Sequence, residues 1–282
     1  MKEKNHQEIA LLAGLPSEDS VLNPIDLTEY GKEIHGREAP EIPPYCVLAF
    51  FKEMYGYMEE TFHPEVIYYF SEKNPMFDPI HVFDYEGVDI AFVFPGIASP
   101  NAAAILEFMI AFGGEYFISI GGAGTLSKDV KRGDIILPTK ALRDEGTSFH
   151  YQEPSRYSYP SDLMLEYIRK SLEENDVPFR EGGTWTTDAF FRETVEKVEE
   201  FYREGCLTVE MEASALFSVA KYRNKHIGGL FTAGDCVAGP KWDSRRERGD
   251  KETVQRSKVQ LLGLALDAFR LLNSELGKGE SP

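Results

Sequence analysis

The stretch "CLTVEMEASALFSVAKYR", Cys206 to Arg223, holds two patterns in direct succession. Leu207-Thr208-Val209 reads as a strand, while Ala213, Leu216, Phe217 and Ala220 recur at helical spacing and define an apolar helix face. A buried strand that feeds straight into a buried helix belongs to an α/β sheet. At the junction sit Glu210 and Glu212, with Met211 between them. On a helix these acids would point about 200° apart, so they cannot share one role. An unpaired buried carboxylate is costly, so each must be partnered or face a cavity.

Outward from this junction the chain keeps alternating. Strands are expected at Cys46–Phe50, Val66–Phe70, Ile80–Phe83 and Val88–Phe94. A helix follows in "SPNAAAILEFMIAFGG", with Ser99 or Asn101 as its cap and Gly113-Gly114 as its stop. "YFISIGGAG" and "GDIILP" read as strands, Ser161–Glu174 as a helix, and a further strand runs toward Trp185. A charged helix over Arg192–Phe201, the strand "HIGGLFTAGD" and a last helix from Thr253 to Leu272 complete the order. Charge, Pro and Gly mark residues 1–40 as an irregular N-terminal arm, and 274–282 as a polar tail. Between them, residues 41–273 show no linker or repeat and are read as one α/β domain.

Composition narrows the partners. A formal net charge of -17 speaks against nucleic acid or an anionic membrane, both of which need a basic face. No apolar run approaches the ~18 residues of a membrane span. Cys46, Cys206 and Cys236 form no close pair, which fits a reduced, cytoplasmic setting. The six histidines make no HxH or HExxH pattern, so no metal site is expected. Neither a GxSxG elbow nor a P-loop is present.

Three stretches carry candidate chemistry. "FISIGGAGTLSKDVKRGDIILP" places glycines after a buried strand, where backbone N–H groups can cradle an anion. It fails as a dinucleotide fingerprint, because too few residues precede the next strand for a crossover helix; a tight strand-to-strand connection is the other reading. "GLFTAGDCVAG" ends a strand with Asp235, which suits either a ligand at a strand end or a cap on the next segment. "RDEGTSFHY" and "TWTTDAFFRET" combine hydroxyls, Arg143, Phe190 and Phe191; the aromatics serve a flat heterocycle or the core.

Taken together, "FPGIASPNAAAILEF", "IGGAGTLSKDVKRGDIILPT", "VEMEASALF" and "TAGD" resemble the nucleoside phosphorylase superfamily, which also contains nucleosidases. The resemblance spans roughly Val93 to Leu272 and implies a single-domain three-layer α/β/α sandwich around a central mixed β-sheet. It implies cleavage of the N-glycosidic bond of a purine nucleoside or uridine, with inorganic phosphate as co-substrate and no cofactor. It also implies a homodimer or homohexamer. Carried onto this chain, it makes Glu212 and Asp235 catalytic, with Met211 and Glu212 on the ribose and Glu210 the partnered acid. Phe190, Thr187 and Asp235 would meet the base, and Gly121, Gly122 and Arg143 the phosphate. A carboxylate on the sugar strengthens as an oxocarbenium-like charge develops, and Asp235 would protonate the departing base.

The chain also departs from the family's pattern. Ser119 stands where an arginine is usual on the strand before the glycines, and "VLAFFKE" replaces a Gly-Asp-Pro…Arg turn. Nucleosidases also lack those arginines and use water, which Glu53 or Glu145 would activate here. A non-catalytic nucleoside-binding relative is the third alternative.

Overall fold

A computed structural model describes residues 20–36, 38–68, 78–246 and 251–279. Helix α1 (Pro24–His35) precedes strand β1 (Tyr45–Ala49), α2 (Met54–Phe62) and β2 (Glu65–Tyr68). The hairpin β3 (Ile80–Tyr85) and β4 (Val88–Val93) leads to α3 (Ser99–Ala111), then to β5 (Tyr116–Thr125) and β6 (Ile135–Asp144). After the short β7 (Tyr157–Ser158) come α4 (Asp162–Glu174), β8 (Phe179–Thr187) and α5 (Val195–Arg203). The quoted stretch forms β9 (Cys206–Glu210) and α6 (Ala213–Tyr222), followed by β10 (His226–Cys236) and α7 (Lys251–Gly279).

The strands make one mixed sheet with helices on both faces, the expected three-layer α/β/α sandwich. On one face α2, α4 and α7 bury Met54, Met58, Ile168, Leu172, Leu264 and Phe269. On the other, α3 and α6 bury Ala102, Leu106, Leu216 and Phe217. The run of apolar residues in β1, buried at every position, is what a strand covered on both faces requires.

One part of the sheet closes on itself. β5 pairs in parallel with β10, β10 antiparallel with β6, and β6 and β8 continue in parallel to β9. β9 then returns to the end of β5, with Gly124 opposite Val209 and Thr125 opposite Thr208. The far end of β5 is therefore held between β9 and β10, with Glu210 following on one and Asp235 on the other.

Several local expectations change. The arm is not wholly irregular, since α1 forms with Pro24 in its first turn and Gly36 at its end in the left-handed region. The helix at Met54–Phe62 was not expected, because its aromatics mask its period. α7 continues through the polar end to Gly279 rather than stopping at Leu272. The expected strand at Val66–Phe70 is described only to Tyr68; residues 69 and 70 lie outside the described residues. Neither Ser99 nor Asn101 caps α3. The hydroxyl of Ser99 donates to the Met211 carbonyl (2.7 Å) and the amide of Asn101 to the Ile97 carbonyl (3.0 Å).

Candidate active site

The two acids of the quoted stretch have different surroundings. Glu210 ends β9 buried, and its carboxylate accepts from the Thr186 hydroxyl (2.6 Å) and, at 3.4 Å, the Thr184 hydroxyl. Its other oxygen accepts the Glu212 and Ala213 N–H groups at 2.8 and 2.7 Å, satisfying donors at the start of α6. Burial pushes this carboxyl up from its ordinary value, and the four donors pull it back.

Glu212 accepts only two backbone donors, Ala98 N–H at 2.6 Å and its neighbour Met211 N–H at 3.2 Å. Burial first, and then the charge on Glu210, hold its carboxyl above the usual carboxylate range. Glu212 has the fewer donors to support a negative charge, so its neutral form is favoured. Ala98 itself lies at φ 80° and ψ 149°, a conformation that costs a non-glycine residue about 1–3 kcal/mol. The strain aims its N–H at Glu212, and the Ser99–Met211 bond clamps the β4–α3 loop onto the β9–α6 junction.

Asp235 is re-aimed by a bulge, since the β10–β5 register shifts between Ala233 and Cys236. The Thr125 hydroxyl donates to its carbonyl at 3.1 Å, and Trp242 Nε1 donates to its carboxylate at 2.5 Å. The carboxylate is thus bound by an indole rather than by a helix start, and the capping alternative falls.

A cavity of about 610 Å³ opens at these strand ends, with Asp235, Met211, Phe190, Phe191 and Glu193 in its walls. Gly124 forms part of its floor. A Cβ there would stand 3.1 Å from Val209 Cγ1 and 3.6 Å from Asp235 Oδ1, so only glycine leaves the floor open. Glu193 was not singled out in the sequence. Burial and the nearby Asp235 raise its carboxyl to about 7. Its signal, "FFRET" directly after the aromatics, is too short to be told from a helix start.

The structure gathers some of the expected residues and separates others. Phe190, Met211 and Asp235 share the cavity. Glu212 faces instead a slot of about 10 Å³ beside Gly121, Gly122 and Phe50, joined to the cavity through Glu210. Thr187 is buried, and its hydroxyl accepts the Ala189 N–H at 3.2 Å; it caps the turn that presents Phe190.

Arg143 requires a correction. Its guanidinium donates to Ser148 Oγ, Ser155 Oγ and the carbonyls of Gln152, Glu153 and Ser155, and lies over the Phe149 ring. It pins its own loop and is not directed at Gly121 and Gly122. Those glycines face Phe50 and Phe51, whose atoms come within 3.4 and 3.5 Å of where a Cβ would stand. Ser119 donates to the Gly228 carbonyl. Of the two acids considered for water, Glu145 is bound to Ser148 N–H and Ser214 Oγ, and Glu53 pairs with Lys258.

An α/β sandwich with paired carboxyls and an aromatic-walled cavity at the strand ends defines a class of small-molecule enzyme. The chain belongs to the phosphorylase superfamily, whose pattern matches residues 50–270. It is 30% identical over 175 residues to a guanosine phosphorylase of Halorubrum lacusprofundi, covering 62% of this chain and 71% of that one. A uridine phosphorylase of Thermococcus kodakarensis is 30% identical over 209 residues, covering 61% and 74%. In fold the chain is similar to an AMP nucleosidase from Bacteroides thetaiotaomicron, with a TM-score of 0.69, 21% identity and coverage of 90% and 99%. It is likewise similar to a purine nucleoside phosphorylase from Toxoplasma gondii, with a TM-score of 0.72, 16% identity and coverage of 85% and 95%. Among the described residues, no helix is long and apolar enough to cross a membrane.

Proposed function

We propose that this protein cleaves the N-glycosidic bond of a purine nucleoside, releasing the free base and transferring the sugar to inorganic phosphate. The observation that carries the reading is the division of labour between the acids. Glu210 is spent on structure, whereas Glu212, with two backbone donors, faces a slot beside Gly121 and Gly122 that shares Glu210 as a wall with the cavity holding Asp235 and Glu193. Sugar hydroxyls donating to Glu212 would favour its ionised form, its proton leaving to solvent, and the carboxylate would stabilise the developing oxocarbenium charge. Burial, and then the nearby Asp235, raise the Glu193 carboxyl to about 7, so in this cavity Glu193 can hold a proton for the departing purine. Phe190 and Phe191 supply the flat apolar walls.

Membership of the superfamily and the names of the 30%-identical relatives support phosphate as acceptor. A second reading, hydrolysis, is favoured by the slot beside Glu212. At about 10 Å³ it has room for roughly one water and not for phosphate, and aromatic rings line the glycines. The sugar product decides between them. Ribose 1-phosphate formed only with added phosphate supports phosphorolysis, and free ribose at an unchanged rate without phosphate establishes the hydrolase. No base released from any purine nucleoside, in either buffer, would refute the proposal. Glu212→Gln is expected to lower kcat by about 10²–10³-fold, the scale of one lost transition-state contact.

A homo-oligomer is part of the same proposal. Phe191 is 87% exposed and Trp242 66% exposed at the cavity rim, with Phe190 also open. A second copy closing over that rim would complete the site.

A further inference from the structure

Beyond Asp235 lies a second cleft of about 320 Å³, sharing Gly124, Asp235 and Trp242 with the cavity described above. Its character is opposite to that of the chain. In a protein of net charge -17, Arg132, Arg246 and Lys258 converge on one concave surface, with the hydroxyl residues Ser244 and Ser257 beside them. Three elements supply these cations: the β5–β6 connection, the segment after β10, and α7. Gly122 and Gly124 bring main chain to the same wall. Such convergence is not needed for stability, because like charges brought together repel.

We propose that this cleft is a phosphoryl-oxyanion site, formed by Arg246, Lys258 and Arg132 and separate from the Gly121 face covered by Phe50. Contacts within the protein hold these cations in place. Lys258 Nζ pairs with Glu53 and lies 4.8 Å from the Phe51 ring centroid, and burial lowers its pKa. Arg132 donates to the Ser244 carbonyl at 3.0 Å, which fixes the loop that carries Arg246. Arg246 is exposed, and its backbone N–H meets Ser244 Oγ at 3.4 Å. Among the described residues, the carboxylate that lines the cleft is Asp235, and Trp242 Nε1 donates to it. An arriving dianion takes Lys258 from Glu53 and gains the planar fork of Arg246, a charge-assisted and bidentate arrangement. The phosphoryl group has two possible sources: free phosphate, or a phosphate carried by the substrate. The inference deepens the nucleoside-cleaving reading but does not need turnover to be tested.

The test is direct binding of inorganic phosphate to the whole protein by calorimetry, at fixed ionic strength. Saturable binding is expected, weakened about tenfold by Arg246→Gln and by Lys258→Gln, the loss of one charge-assisted contact each. Glu53→Gln should tighten binding, because it removes the competitor for Lys258. Arg246 is exposed, so its variant tests the site without threatening the fold. Absence of saturable binding, or equal binding in wild type and both variants, overturns the inference. Two further arms assign the source. A phosphate KM that rises in Arg246→Gln at constant kcat marks free phosphate. A kcat/KM preference for a nucleoside monophosphate over its nucleoside, lost in Arg246→Gln, marks the substrate's own phosphate. Phosphate binding that depends on these residues, in a protein that cleaves no nucleoside, would sustain the cleft and refute the function above.

Discussion

At the scale of single residues, the site depends on two glutamates two positions apart having unlike environments. Glu210 answers four donors inside the β9–α6 junction, and Glu212 answers two. Glu210→Gln puts an amide N–H against donors that need an acceptor. It should lower stability by about 2 kcal/mol, the cost of unsatisfied buried groups, as read by urea unfolding. Glu212→Gln replaces a carboxyl whose neutral form is already favoured and leaves the four Glu210 bonds of the junction in place, so it should lower stability less than Glu210→Gln. Equal destabilisation by both would show that Glu212 is structural too. Glu193 is the third acid. Its folded pKa, near 7, lies above its unfolded value, so its neutral form is favoured and its stabilising contribution is lost as pH rises through 7. If its proton serves the leaving base, kcat/KM falls above about pH 7, and Glu193→Gln abolishes that limb. An unchanged pH profile in the variant would remove Glu193 from the chemistry.

At the scale of elements, the end of β5 decides the shape of the cavity. It pairs with β9 through Gly124 and Thr125 and with β10 up to the bulge before Asp235. A Cβ at position 124 would press on Val209 Cγ1 at 3.1 Å while touching Asp235 at ordinary contact distance. Gly124→Ala is therefore expected to cost about 1–3 kcal/mol of stability through overpacking and to raise KM more than it lowers kcat. Unchanged stability and KM would mean that the floor yields. The short connection from β5 to β6 was legible as a break with dinucleotide-binding folds, because residues 126–134 leave no room for a helix. The ring formed by β5, β10, β6, β8 and β9 was not legible, because strand pairing between distant segments leaves no periodic trace in any one of them.

For the whole molecule, the apolar rim of the cavity predicts association. Light scattering should give a dimer or a higher multiple, and Phe191→Asp should shift it toward monomer while lowering turnover. A monomer with full activity at low concentration would contradict the proposal that a second copy closes the site. The extent of the rim follows from tertiary structure alone, since Phe191 and Trp242 lie on two separate connections.

What the sequence determined by itself was local. The strand-to-helix junction at Glu210–Glu212, the apolar faces of α3, α4 and α6, and the ending of a strand at Asp235 are patterns of neighbouring residues. Periodicity reports such patterns directly. In "VLAFFKE" the sequence showed two adjacent aromatics, Phe50 and Phe51, but not that they lie against Gly121 and Gly122. Only the tertiary structure showed where long side chains end. Arg143 turns back onto its own loop, Glu193 meets Asp235 across a cavity, and Lys258 of α7 comes to rest beside Phe51. A residue type records which charge is available. Which group that charge faces depends on contacts between segments as far apart as positions 53 and 258, and spacing along the chain does not encode them.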